Sequence, residues 1–273
     1  MRALGIYREA QFSPGKVKAD AAILEGTLAA LAATGVETAA LRPERAAETT
    51  ENRAAPAADL VLAMCQGESQ LERLARLEEA GAVVINSALA IRNCYRDLLG
   101  AGLLRAGVPA PRGVIVDLAA PARPLDGLNP SRGVYVKRGD LHALGADDVQ
   151  RVDDPARLDA VLAGFARRGI GRVYVQQRVD GALVKFYGVS GGEYFAALPE
   201  HGELDDSVEL ALRNAAERAA AALGLEVWGG DAIINDETPT IVDFNDWPSF
   251  SRVRDAAARA IARRCLRLVR RQV

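Results

Sequence analysis

The stretch WGGDAIINDETPTIVDFN, Trp228 to Asn245, constrains the fold of this chain more than any other segment. It predicts two strands, Val227 to Ile234 and Thr240 to Phe244, joined by the polar turn Asn235 to Pro239. The first strand is apolar apart from Asp231. Residues two apart in a strand share a face, so Asp243 and Asn245 point the same way. Pairing about the turn brings Asp231 across from them. Two carboxylates and an amide oxygen then converge inside an otherwise hydrophobic hairpin. Hard oxygen donors of this kind suit Mg²⁺, which keeps several waters and rests on one or two carboxylates plus substrate phosphates. The competing reading is a hairpin whose edge acids simply face water.

Upstream, apolar runs and helical periodicity alternate. Arg2 to Tyr7, Val36 to Leu41, Leu60 to Cys65 and Val83 to Asn86 read as strands, with helices over Val17 to Ala33 and Glu68 to Glu79. Arg42 to Ala57 reads as a polar loop. This alternation predicts a parallel α/β layer. A helix over Ser87 to Gly107, broken near Asn93-Cys94, runs into Gly107-Val108-Pro109-Ala110-Pro111, where two prolines stop it and make an extended linker. Strands follow at Gly113 to Asp117, Gly133 to Lys137, Gly171 to Val179, Ala182 to Ser190 and Glu193 to Leu198, with a helix over Pro155 to Arg168. A helix over Asp206 to Leu223 is capped near Asp205 or Asp206 and closed by Gly224, and Ser251 to Arg270 forms the last helix.

Composition narrows the functional classes. At 273 residues and 49% hydrophobic, the chain can bury a full core in one large or two to three small domains. A net charge of -2 gives no general attraction to nucleic acid or to an anionic membrane. Arginines crowd the last helix, where the dipole favours them on a solvated helix end. No 18-residue apolar run and no apolar N-terminal leader are present, and Cys65, Cys94 and Cys265 form no CxxC pair, so a reducing, cytoplasmic setting is expected. Two histidines, His142 and His201, are too few for a zinc centre.

Several polar residues stand out against this background. Lys137 ends an apolar strand beside Gly139, and Lys185 lies inside Leu183-Val184-Lys185-Phe186-Tyr187. An unpaired buried ammonium is costly, so each needs an anion or a route to water along its stem. Two strand lysines facing one cleft are what a triphosphate requires. Between them, the strand Val173 to Val179 turns polar at Gln176-Gln177, and backbone groups at such an edge can recognise an adenine ring. The loop Arg8 to Lys16 and the segment Met64 to Glu68 follow apparent parallel strands, where ligands of open α/β sheets bind, and are candidates for a second substrate. Cys65 has no basic residue adjacent in sequence to activate it as a nucleophile.

Four features therefore recur in one order: Asn86 with a helix running to the Gly-Val-Pro-Ala-Pro linker; a strand ending in Lys137; Gln176-Gln177-Arg178-Val179 followed by Lys185; and Gly230-Asp231 with Asp243-Phe244-Asn245. In this the chain resembles ATP-grasp enzymes, among them ribosomal-protein glutamate ligases, glutathione synthetases and inositol-trisphosphate kinases, from about Leu60 to its end. The resemblance implies an α/β (α+β) ATP-grasp fold. An N-terminal open parallel-sheet domain, 1–86, would precede linker helices with a small subdomain, 87–180, and a C-terminal subdomain, 181–273, that together clamp ATP.

By the same resemblance Lys137 and Lys185 hold ATP phosphates, Arg96 adds a basic group near the nucleotide, and Gln176, Gln177 and Val179 form the adenine hinge. Asp231, Asp243 and Asn245 bind Mg²⁺, with Asp243 standing where relatives usually carry Glu. The phosphate loop departs from the pattern: in place of a Lys-Pro and Gly-Ser-rich run it has Arg138-Gly139-Asp140-Leu141-His142. His142 is expected to donate to the γ-phosphate or contact the second substrate, or else to be a solvated loop residue. Arg213 is expected either to reach phosphate or to lie on a solvated helix face. The implied activity is an ADP-forming ligase joining a carboxylate to an amine, such as an amino acid or peptide, through an acyl phosphate. A kinase acting on a polyol or inositol-phosphate-like acceptor is the alternative, and a non-catalytic nucleotide-binding module the third. Relatives are often dimers or tetramers, so a homodimer is compatible with the resemblance; no nucleic-acid or membrane partner is expected.

Overall fold

The computed structural model describes residues 1–43, 58–120, 124–139 and 145–272. Its three four-stranded sheets follow from three kinds of sequence pattern. Strands β1 (Arg2–Ile6), β2 (Glu37–Leu41), β3 (Leu60–Ala63) and β4 (Val83–Ile85) pair in the order β2-β1-β3-β4, all parallel, as the strand–helix alternation predicts. The run Leu60 to Cys65 is apolar throughout because both faces of the sheet are covered. Leu60, Leu62 and Met64 enter one core with Ile23, Leu24 and Leu28 of helix α1 (Val17–Ala32). Val61, Ala63 and Cys65 enter the other, against Leu71 and Leu74 of α2 (Glu68–Glu79) and Ile91 of α3 (Ala88–Asn93).

The second sheet, antiparallel and ordered β5-β8-β6-β7, comprises β5 (Gly113–Asp117), β6 (Val134–Arg138), β7 (Val149–Val152) and β8 (Arg172–Gln177). Helix α4 (Arg96–Arg105) and the proline linker lead into it. Leu162 and Phe165 of α5 (Leu158–Arg167) pack on its valines, Val134, Val136, Val173 and Val175. Strand β7 is an addition to the sequence reading, which has only loop there. Its four residues VQRV carry two polar side chains and lie on a sheet edge, so periodicity has little to register.

The third sheet is ordered β10-β9-β11-β12, with β9 (Ala182–Val189), β10 (Tyr194–Pro199), β11 (Val227–Asn235) and β12 (Thr238–Asp246) all antiparallel. Helix α6 (Asp206–Leu223) covers one face, burying Leu212, Ala216 and Leu223 with Phe186, Trp228, Ile241 and Phe244. Gly224 closes α6 in the left-handed conformation at φ 75°, as expected, whereas Asp205 sits at the N-cap without a side-chain capping bond. The β11–β12 turn is tighter than the five residues predicted. Asp236 and Glu237, at φ 44° and 62°, make a two-residue connection with left-handed backbone, which matches the twist of paired strands.

Two features tie the third sheet to the first. The Asn86 amide accepts from the backbone N–H groups of Glu226 and Val227 (2.8 and 3.0 Å) and donates to the Val227 carbonyl (2.7 Å), which satisfies a fully buried side chain. The last helix, α7 (Arg254–Gln272), packs against α1 and places Ala257, Ile261 and Cys265 in one core with Leu24, Leu60, Val189 and Trp247. Sequence order alone groups this helix with the C-terminal sheet.

At Gly188 the fully buried Trp228 ring lies so close that an added Cβ would stand 2.1 Å from it. Gly188→Ala is therefore expected to destabilise the protein by about 1–3 kcal/mol through overpacking, read from urea unfolding. Wild-type stability in that variant contradicts this packing.

Candidate active site

The cleft face of the third sheet carries the candidate residues because of a local irregularity. Along β11 and β12 the pairing runs Ile233 with Thr240 and Ala232 with Ile241, then jumps to Asp231 with Asp243. Val242 is the extra residue of a β-bulge. It allows Ile241 and Phe244 both to enter the core against α6 while Asp243 and Asn245 face away from it. Simple alternation from Ile241 would have put Asp243 on the helix side. Gly230 also belongs to this arrangement, since a Cβ there would stand 2.2 Å from the Asp243 carbonyl oxygen.

Three rows of side chains then cross β9, β11 and β12 on the cleft face. Lys185, Asp231 and Asp243 form the middle row; Leu183, Ile233 and Thr240 lie on one side of it, and Tyr187, Gly229 and Asn245 on the other. Lys185 donates to Asp231 Oδ1 at 2.9 Å, with the two side chains 48% and 30% exposed. A pair this exposed is worth about 0–1 kcal/mol, so either group can exchange its partner for a stronger ligand.

From the second sheet, Lys137 projects across to donate to the Val242 carbonyl at 3.1 Å, and Gln176 Nε2 donates to the same oxygen at 3.3 Å. The bulge thus supplies an acceptor that a regular ladder would have used. Arg96, at the start of α4, is 5% exposed, lies 3.7 Å from Asp243 Oδ2 and donates to the Arg138 carbonyl at 3.4 Å. Its Nε has no hydrogen-bond partner among the described residues. Burial pushes the Lys137 ammonium below its ordinary pKa; Asp243 and Asp231 oppose that shift and Arg96 adds to it. Burial also acts to lower Lys185, but the hydrogen bond and charge of Asp231 outweigh it and leave its pKa raised.

Two cavities meet at this row. One, of about 440 Å³, extends over Leu183 and Ile233 to Gln176, Gln177 and Val179, the residues expected to form a hinge. The other, of about 450 Å³, extends past Tyr187 and Asn245 to Arg8, Phe12 and Ser13 of the N-terminal loop and to Gln66. Arg96, Asp231 and Asp243 line both.

The structure therefore brings Arg96, Lys137, Gln176, Lys185, Asp231, Asp243 and Asn245 together, with Val179 on the hinge-side wall. The Gln177 side chain turns elsewhere. Its amide bonds Asn129 and Gly133, fastening the loop before β6. Arg213 is not at the cleft: it pairs with Glu217 at 3.1 Å along α6, and α6 covers the opposite face of the sheet. His142 lies outside the described residues. Cys65 is fully buried and burial raises its thiol, as its sequence context predicts for an unreactive cysteine.

Sequence reasoning missed the Val242 carbonyl, because backbone acceptors freed by a bulge leave no residue signature. It also missed Asp246, fully buried and accepting from Gln66 Nε2 at 2.8 Å. The acid immediately after Asn245 is the one available hint.

The donor set fits a hard cation. Asp231 and Asp243 are cross-strand partners and Asn245 lies two residues along the same face. Among the described residues no group of three or more His, Cys, Asp or Glu side chains is arranged to hold a metal. Two acids and an amide leave the rest of the coordination to phosphate and water, the usual mode for Mg²⁺.

No protein-family model matches the sequence, and no curated protein matches it. Solved structures do match over the whole chain. A D-alanine–D-alanine ligase from Bacillus anthracis complexed with ATP is 14% identical, with a TM-score of 0.73 and 100% of both chains covered. The D-alanine–D-alanine ligase from Coxiella burnetii is 13% identical at a TM-score of 0.74, covering 100% of this chain and 97% of that one. A RimK domain ATP-grasp protein from Sphaerobacter thermophilus is 20% identical at 0.69, covering 97% and 100%. This protein has the ATP-grasp fold.

The electrostatics of the cleft can be read directly. In protein carrying ¹³Cε-labelled lysine, Lys137 is expected to titrate below the ordinary value of 10.5, since burial disfavours its charged form. Asp243→Asn removes a negative charge that favours the ammonium, so the midpoint should fall further. A midpoint at or above 10.5 in the wild type contradicts this environment.

Proposed function

We propose that this protein is an ADP-forming ligase that uses Mg-ATP to join a carboxylate to an amine through an acyl phosphate. The observation that carries the reading is the shared wall of the two cavities. A nucleotide in the hinge-side cavity and a carboxylate in the other would meet over Arg96, Asp231 and Asp243. The likeness to a D-alanine–D-alanine ligase complexed with ATP supports it.

In this reading the hinge at Gln176 and Val179 receives the base. Lys137 and Lys185 neutralise the β- and γ-phosphates, and Lys185 releases Asp231 in doing so. Asp231, Asp243 and Asn245 hold Mg²⁺, which when bound supplies further neutralisation of phosphate charge. A substrate carboxylate oxygen attacks the γ-phosphorus, the bond to the β–γ bridging oxygen breaks, and ADP leaves. The amine nitrogen then attacks the acyl carbon, the bond to the phosphate oxygen breaks, and the amine proton passes to solvent. Arg96, permanently charged and with an unused Nε–H, would steady the acyl phosphate between the cavities. Catalysis of this kind rests on positioning and electrostatics.

The charge pattern of the acceptor-side cavity favours the ligase over the kinase. Of the four cations that line it, Arg8 faces Asp20 and Asp246, Arg96 faces Asp243 and Lys185 faces Asp231, which leaves Lys16, exposed, as the one not matched by a carboxylate among the described residues. A polyphosphorylated acceptor needs a surplus of cations there. Small amino-acid or peptide substrates do not.

The test is the ratio of free phosphate to ADP across a panel of carboxylates, amines and polyol phosphates. A ratio near one that requires both a carboxylate and an amine is expected; ADP formed without phosphate on a single hydroxyl acceptor points to the kinase. Asp243→Ala should lower turnover at least about 100-fold with its unfolding transition retained. Lys185→Ala should weaken ATP binding. Wild-type turnover in Asp243→Ala removes that residue from the metal site.

A further inference from the structure

We infer that Arg8 is a positioning residue that holds Asn245 in the metal site from the opposite side of the cleft. This rests on the nucleotide and metal reading above.

Arg8 follows β1 and is half-buried, with its side chain 12% exposed. Its guanidinium bridges two distant segments. Nε donates to the Met64 carbonyl at 3.1 Å, just past β3, and NH2 donates to the carbonyls of Asp246 and Trp247 at 3.2 and 2.9 Å. The carboxylates of Asp20 and Asp246 flank it at 3.6 and 3.8 Å. A second link runs beside it, where Gln66 Nε2 donates to Asp246 Oδ1 at 2.8 Å. Gln66 is itself held: its N–H donates to Glu9 at 3.0 Å, and its carbonyl accepts from the Tyr95 hydroxyl at 2.6 Å.

These bonds grip the residues immediately after Asn245. There the chain needs holding, because Trp247 adopts φ 36°, a left-handed conformation that costs a bulky residue roughly 1–2 kcal/mol. On its other side Trp247 donates its N–H to the Val227 carbonyl at 3.2 Å. The last turn of β12 is therefore set jointly by β11 and by the parallel sheet. A ligand at a strand end is only as well placed as the peptide that follows it, and groups behind metal ligands typically change metal affinity by 10–100-fold when removed. A lysine cannot replace Arg8, since a single ammonium lacks the planar fork that reaches three carbonyls at once.

The experiment measures ATP affinity by calorimetry in Mg²⁺ and in EDTA, for wild type, Arg8→Met, Arg8→Lys and Gln66→Met, alongside urea unfolding of each. The ratio of the two affinities isolates the metal contribution from general destabilisation. Arg8→Met and Arg8→Lys are expected to lose about tenfold in that ratio while the EDTA affinity stays within about twofold of wild type. Gln66→Met, which keeps the guanidinium, should lose less. A wild-type ratio in the folded Arg8 variants overturns the inference. If neither Arg8 variant folds, Gln66→Met decides, and an unchanged ratio there overturns it. Wild-type protein that binds ATP equally well with and without Mg²⁺ overturns the metal reading itself, a result distinct from either.

Discussion

The β-bulge at Val242 is the constraint on which the cleft depends. One extra residue on β12 lets Ile241 and Phe244 face the same core, and the acids that follow are turned to the other face. The burial of two large apolar side chains is worth about 1.5–3 kcal/mol each, which is ample to hold the irregular register against regular pairing. The same extra peptide leaves the Val242 carbonyl facing the second sheet, where Lys137 and Gln176 both donate to it. A packing requirement on one face of the sheet thus places carboxylates, a lysine and a glutamine on the other.

Around this point three sheets meet, each contributing a different chemistry. The third sheet supplies a rigid floor of alternating rows, the second sheet brings Lys137 and Gln176, and the parallel sheet brings the Arg8 loop. Asn86, Arg8 and α7 join the parallel sheet to the ends of β11 and β12 through hydrogen bonds and a common core. Rigidity at the strand ends and exchangeable pairs in the middle are complementary. Lys185 and Asp231, half exposed, can change partners readily, whereas the fully buried Asn86 cannot without leaving polar groups unsatisfied, and Arg8 would give up bonds to three carbonyls.

Much of this was legible in the residues. Parallel and antiparallel regions, the helices and the polar residues of the cleft follow from periodicity, Gly and Pro punctuation and isolated charges in apolar strands. Arg213 shows where such reading stops. Its position on a helix next to the hairpin is visible, but the side of the sheet that helix covers is decided by Leu212, Ala216 and Leu223 meeting Phe186 and Phe244. Strand β7 escapes notice because four half-polar residues on an edge carry too little pattern. The Gln177 amide, equivalent to that of Gln176 by sequence, fastens a loop because successive strand residues point to opposite faces.

By itself, the sequence determined the local elements, the ATP-grasp resemblance and the short set of polar residues proposed for phosphate and a hard cation, since these depend on residue type and spacing along the chain. The tertiary structure alone decided the bulge register, the burial of Arg96 and Lys137, the exclusion of Arg213 and the grip of Arg8 on the end of β12. Each of these depends on which surfaces meet across long separations in sequence. That choice is made by the simultaneous packing of the whole core, and a one-dimensional pattern does not contain it.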